Sequence, residues 1–292
     1  MRFMAETGIG RDKCLAAGCY PMEVHFYQPV PDIQELERRD VWSKVSALSG
    51  IKWETDKYLA KLAEVSRYKP KRDWPDKPES NMDFGRINQS FSYICASLLY
   101  GMILKNKPKR IIEIGSGNSS KVVLKALQDS GKETEYTIID PYCCWEETEF
   151  GINVNVIQKP VEETNIALFQ TLETDDILFI DSSHTVRIGG DVNFLILDIL
   201  PLLAQGVIVH FHDIELPYEY SKVYATNLQS RKFWTESYLL QAFLTFNTAY
   251  EILLPAVYLC REYLDTVKEC YPGMRHPFDW SSSSFWIRRT NA

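Results

Sequence analysis

Basic residues are outnumbered in this sequence: 32 lysines and arginines face 39 aspartates and glutamates, for a formal charge of −7. That balance argues against a nucleic-acid partner held broadly through its phosphates. No apolar run approaches the roughly 20 residues that a bilayer-spanning helix needs, so no membrane partner is expected. Paired cysteine motifs are missing too. The 7 cysteines include no Cys-x-x-Cys, which reads as free thiols in a reducing compartment. There is no internal repeat, and the one low-complexity tract is Ser281 to Ser284. The opening MRFMAETGIGRDKCLAAGCY has no continuous apolar core of signal-peptide type, so a cytoplasmic location is expected. What remains is ordinary globular material, 45% hydrophobic and 24% charged.

Two regions stand out along the chain. Residues 1–80 read as an N-terminal helical extension and linker. PDIQELERRDVWSKV and ETDKYLAKLAEVSRY carry apolar residues at helical spacing. YKPKRDWPDKPESN, broken by prolines and dense in charge, reads as the linker. Residues 81–292 read as one α/β domain. INQSFSYICASLLYGMILKNK predicts a long helix stopped ahead of Pro108. Strand candidates follow: RIIEIG, EYTIID, VNVIQ, DILFID and GVIVHFHD, then AYEILLP and SSSFWIRR. Helical segments separate the first five, SSKVVLKALQDSG and GDVNFLILDILPLL clearly, EETNIALFQTLE more weakly. Continuous apolar strands alternating with helices predict a Rossmann-like, doubly wound sheet covered on both faces.

In such sheets ligands bind beyond the carboxyl ends of the strands. Several apolar runs here end in charge or histidine: Asp140 after the second strand, Asp181 and His184 after the fourth, His212 and Asp213 after the fifth. The first strand runs into EIGSGNSSK, where Gly115 and Gly117 turn the chain into a helix that Ser119 or Ser120 can cap. A dinucleotide fingerprint would have a third glycine where Ser120 stands. Asp140 is placed to accept hydrogen bonds from a ribose diol, which suits any adenosine ligand.

IIEIGSGNSS, YTIIDP, DILFIDSSH and GVIVHFHDI together resemble the class I S-adenosylmethionine-dependent methyltransferases. FYQPVPD, RINQSF, LPYEY, ESYLLQAFLTFN and SFWIRR extend the likeness to the bacterial small-molecule group called methyltransferase family 24. The resemblance implies a seven-stranded sheet with an antiparallel last strand. It implies that Glu113, Gly115, Ser116 and Gly117 line the methionine and ribose end of S-adenosylmethionine, with Asp181 also near the cofactor. Asp140 would hold the ribose hydroxyls and Pro141 or Tyr142 would lie by the adenine, with Asn88 and Ser119 as further contacts and Pro160 and Val161 as weaker ones. Similar sugar and macrolide enzymes bind a divalent cation on a strand-four aspartate and two acids after strand five. Here His212 replaces the first of those acids, so Asp181, His212 and Asp213 form a mixed candidate set for Mg²⁺ or another divalent cation, with no metal as the alternative.

Methyl transfer to a hydroxyl needs help in removing its proton, from a general base or a bound cation. His184, Asp181, His212 and Asp213 are the catalytic candidates, and the acceptor is expected to be a small molecule: a sugar, a glycan precursor or a natural product. His210, inside its strand, reads as a satisfied buried histidine. Tyrosine-rich insertions near 215–234 and 255–282 read as lids over the acceptor, or as a homodimer contact. Three other readings stay open: a non-haem iron oxygenase using Asp181, His184 and His212, an NAD-dependent oxidoreductase, and a non-catalytic binding protein.

Overall fold

A computed structural model describes residues 7–145, 151–229 and 231–290. Its strands are β1 (Arg110–Ile114), β2 (Glu135–Ile139), β3 (Val154–Ile157), β4 (Ile177–Ile180), β5 (Ile208–Phe211), β6 (Tyr250–Pro255) and β7 (Phe285–Arg289). They form one seven-stranded sheet in the order β3-β2-β1-β4-β5-β7-β6. The β1 to β5 pairings are parallel, and β7 runs antiparallel to both β5 and β6. The central strands are largely apolar because helices cover both faces: every residue of β4 and β5 is buried. Alternation splits their side chains between two cores. Ile111, Ile177 and Phe179 join one, Ile112, Leu178 and Ile180 the other.

The chain divides into two compact units, 1–46 with 218–233, and 47–217 with 234–292. In the first, α1 (Arg11–Ala16) is followed by α2 (Ile33–Arg38), which Asp32 caps through the Gln34 and Glu35 N–H groups. Val45 bridges to Tyr218, and Lys222 pairs with Glu37 at 2.8 Å. The second unit begins earlier than a linker near residue 80 would suggest. Its helix α3 (Thr55–Val65) buries Tyr58, Leu62 and Val65, and these side chains belong to a core that also contains sheet residues. The proline-broken stretch after it is packed as well: Trp74 is buried and its indole N–H donates to Ser97 at 3.2 Å.

Helix α4 (Tyr93–Asn106) starts later than its apolar run, because Ser92 caps it by accepting the Cys95 N–H. The residues ahead of it form a strap anchored by Arg86. This wholly buried guanidinium pairs with Asp279, donates to the Gly273 carbonyl at 2.8 Å, and lies 4.5 Å from the centre of the Tyr93 ring. Helix α5 (Asn118–Ser130) leaves the glycine turn. Helix α6 (Asp191–Asn193) continues as a π turn to Ile199, α7 (Lys222–Thr226) lies in the first insertion, and α8 (Glu236–Leu244), α9 (Ala256–Glu262) and α10 (Leu264–Cys270) follow. α7 has no periodicity to announce it. Among the described residues no helix is long and apolar enough to cross a membrane.

The strand order reverses between β1 and β4, and there the backbones close up. Asp181 N–H donates to the Ile114 carbonyl at 3.0 Å. Gly115 has φ 82°, and a Cβ on it would stand 2.6 Å from the Asp181 carbonyl oxygen. Both the left-handed backbone and the approach demand glycine.

Candidate active site

Beyond the ends of β4 and β5, two acids and two imidazoles meet. Asp181 Oδ1 lies 3.2 Å from His184 Nε2 and 3.8 Å from His212 Nδ1. Asp213 Oδ2 lies 3.5 Å from the same His184 nitrogen, and its Oδ1 lies 3.4 Å from His212 Nδ1. His184 (φ 58°) and Asp213 (φ 55°) both adopt the left-handed backbone, which costs a non-glycine residue on the order of 1–3 kcal/mol. The four catalytic candidates of the sequence are therefore brought together.

Neighbouring side chains hold the turn in place. Ser183 donates to Asp191 through its N–H at 2.7 Å and its hydroxyl at 2.6 Å. The His184 carbonyl accepts the N–H groups of Thr235 at 2.8 Å and Glu236 at 3.1 Å. His184 Nδ1 sits 2.8 Å from Glu236 Oε2. Burial alone would depress the His184 ring, but the hydrogen bonds to Asp181 and Glu236 and their charges raise it to about 10. In this arrangement His184 is an imidazolium between carboxylates rather than a free base. Glu236 is wholly buried and escaped sequence reasoning, because an acid in the first turn of a helix is what any helix start favours.

His212 is buried, accepts or donates at Nε2 with Ser283 at 3.1 Å, and stacks on Phe91 with ring centres 5.0 Å apart. Burial lowers its pKa, and the charges of Asp213 and Asp181 with a Cys95 hydrogen bond raise it to about 9. The buried Cys95 thiol is the counterpart: burial raises it, the His212 hydrogen bond and charge prevail, and it falls to about 6. Reading all cysteines as bystanders missed this contact. His210 corrects another expectation. It is buried, stacked on Phe179 at 4.3 Å with the Trp286 ring tilted against it at 4.4 Å, yet neither ring nitrogen has a hydrogen-bond partner among the described residues. Burial pushes it well below the usual histidine range, and it is neutral.

The residues expected around a cofactor divide in two. At the carboxyl end of β2, Asp140 accepts a hydrogen bond from the Ser116 hydroxyl and another from the Tyr142 N–H at 2.8 Å. A Cβ on Gly117 would meet nothing within 4 Å, so the backbone at 117 is open to a close ligand. Ser120 Oγ accepts the Gly117 N–H at 3.1 Å, doing the capping that its position allowed. Pro141 and Tyr142 are exposed. The others turn inward. Glu113 is wholly buried, with Ser119 donating at 2.6 Å and Tyr136 donating to its other oxygen. Val161 is a core residue, with Pro160 half-buried before it. Asn88 donates to the Gly85 and Phe91 carbonyls and accepts the Ser90 and Phe91 N–H groups. Its amide is committed to its own turn.

Burial raises the Glu113 carboxyl to about 7, against the pull of its Ser119 and Tyr136 hydrogen bonds. An acid whose folded pKa lies above its unfolded one binds its proton more tightly when folded. Its stabilising contribution is full below the unfolded value near 4.5 and is lost as pH rises through about 7. Glu113→Gln is therefore expected to gain on the parent in thermal melts between pH 5 and pH 8. Parallel melting curves for the two proteins across that range would refute the assignment.

Among the described residues, Asp181, His212 and Asp213 can offer one ligand atom each, all within 4.8 Å of one another. The set fits a divalent cation, and its imidazole suits Mn²⁺, Fe²⁺ or Zn²⁺ better than all-oxygen Mg²⁺. The iron set of Asp181, His184 and His212 does not form the group. A separate cavity of about 490 Å³ runs along α5, lined by Trp74, Phe84, Lys121 and Leu124 among others, and takes in none of the strand-end residues.

Residues 112–214 match a family described as a methyltransferase domain. A protein of Archaeoglobus fulgidus, described only as uncharacterized, is 30% identical over 166 residues, covering 52% of this chain and 74% of its own length. Solved structures with a similar course include the O-methyltransferase TomG of Streptomyces achromogenes with S-adenosylmethionine, at 16% identity and TM-score 0.40, covering 82% of this chain and 92% of that one. An O-methyltransferase from Bacillus cereus with S-adenosylhomocysteine has 10% identity and TM-score 0.41, with 82% and 93% covered.

Proposed function

We propose, for a chain that belongs to the class I S-adenosylmethionine-dependent methyltransferases of the family 24 type, that the reaction is O-methylation of a hydroxyl on a small molecule. The observation that carries this reading is the meeting of Asp181, His184, His212 and Asp213 beside the Gly115 turn. S-adenosylmethionine supplies a methyl group on a good leaving group, so the protein's work is alignment and proton removal. Asp140 and Ser116 hold the ribose hydroxyls, and Gly117 lets the backbone approach the cofactor. Asp181 and Asp213 receive the acceptor hydroxyl. The imidazolium rings of His184 and His212 hold those carboxylates ionised and in place, and the hydroxyl proton passes to a carboxylate oxygen of the pair as the methyl group transfers. Asp181, His212 and Asp213 would hold a divalent cation, which would supply Lewis-acid lowering of the hydroxyl pKa.

Calorimetry with S-adenosylhomocysteine, with and without a divalent cation and against NAD, tests the cofactor. Asp140→Ala is expected to weaken S-adenosylhomocysteine binding about tenfold or more, the loss of one charge-assisted hydrogen-bonded contact. Unchanged affinity would refute the ribose contact, and tighter NAD binding would overturn the reading as a whole.

A further inference from the structure

Glu236 stands outside every motif read above, yet its surroundings are those of a built part. Both carboxylate oxygens are engaged: Oε2 with His184 Nδ1 at 2.8 Å, and Oε1 with the Ser182 hydroxyl at 3.0 Å. Ser182 Oγ in turn accepts the His184 N–H at 3.1 Å, and the Glu236 N–H donates to the His184 carbonyl. Three residues thus close a ring of hydrogen bonds around one imidazole. The Trp234 ring flanks that imidazole with centres 4.5 Å apart. A wholly buried carboxylate and a left-handed histidine are each unfavourable alone. Simple packing of α8 against the loop needs neither, and an apolar pair of similar volume would serve stability as well. Their joint product is the direction of one atom: with Nδ1 and the backbone fixed, His184 Nε2 faces Asp181 and Asp213 at 3.2 and 3.5 Å.

We infer that Glu236 is a positioning residue that fixes the orientation of His184 through Nδ1 and so aims Nε2 at the Asp181–Asp213 pair. This rests on reading that pair as the methyl-transfer centre. The test is a histidine ring ¹⁵N–¹H spectrum of the full chain, with S-adenosylhomocysteine calorimetry on the same samples. The parent should show one protected, downfield Nδ1–H resonance, identified by its absence from His184→Asn. In Glu236→Gln that resonance should move upfield and exchange with water, while S-adenosylhomocysteine still binds. Glu236→Asp, which keeps the charge, should restore part of the downfield shift. An unshifted resonance in Glu236→Gln, or no protected Nδ1–H in the folded parent, overturns the inference, and the second result is readable even where the variants fail to fold. A parent that binds no S-adenosylhomocysteine but shows the resonance sinks the methyltransferase reading instead.

Discussion

Replacing His184 with alanine is expected to slow methyl transfer by about 10²–10⁴-fold, the usual worth of a placed proton-transfer apparatus, because the carboxylate pair that takes the proton loses the cation that holds it, while S-adenosylhomocysteine still binds. The ring touches Asp181, Asp213 and Glu236 but belongs to none of the segments proposed to hold the adenosine, so the loss is expected to fall on turnover rather than on cofactor affinity. Stability should suffer as well. Without the imidazole, Glu236 is left as a buried carboxylate with Ser182 as its remaining side-chain partner, and stripping one member from a buried pair costs about 3–5 kcal/mol. His184→Ala in a Glu236→Gln background removes that stranded charge and should recover much of the melting temperature without recovering turnover. The check is single-turnover transfer from labelled S-adenosylmethionine to an acceptor found by screening, beside thermal melts. Parent-like turnover in His184→Ala would remove the residue from the mechanism.

The second large effect is structural. Arg86→Met keeps the volume of a fully buried side chain and removes its charge, leaving Asp279 buried without its cation. Asp279 retains the N–H groups of Arg275 at 2.6 Å and His276 at 2.8 Å, so the cost should sit at the lower end of about 3–5 kcal/mol, a fall in melting temperature on the order of 10 °C. Arg86→Met with Asp279→Leu should regain most of it, since apolar replacements of a whole buried pair are often neutral. The strap that Arg86 anchors leads to Phe91, which stacks on His212. The single variant should therefore lose activity at temperatures where it is still folded. Equal melting temperatures for parent and Arg86→Met would show that the pair contributes nothing net.

Apolar runs with abrupt polar ends are visible in sequence because a doubly covered sheet leaves little freedom: its strands must be mostly apolar, and charge can return where the strand leaves the core. Hence β1 to β7 were legible, and so was the placement of Asp140, Asp181, His184, His212 and Asp213 just beyond strand ends. Glu236, Cys95 and Arg86 were not, because each owes its role to a partner 52, 117 or 193 positions away in the chain. For Asn88 the resemblance implied a ligand contact, whereas the structure shows its amide satisfying its own turn. The start of the second unit was misjudged for a related reason: prolines and charges in residues 68–81 look like linker, while Trp74 among them is core.

The sheet order also constrains how the chain can be assembled. β7 lies between β5 and β6 although it is later in sequence than both. Until β7 has emerged from the ribosome, β6 has no neighbour to pair with and β5 ends the sheet as an open, largely apolar edge, the kind of surface that invites aggregation. Synthesis therefore passes through a state that chaperones would be expected to shield, and the last strand to arrive closes both gaps at once. Any shortening that removes Phe285 to Arg289 should yield insoluble protein rather than a slightly less stable enzyme.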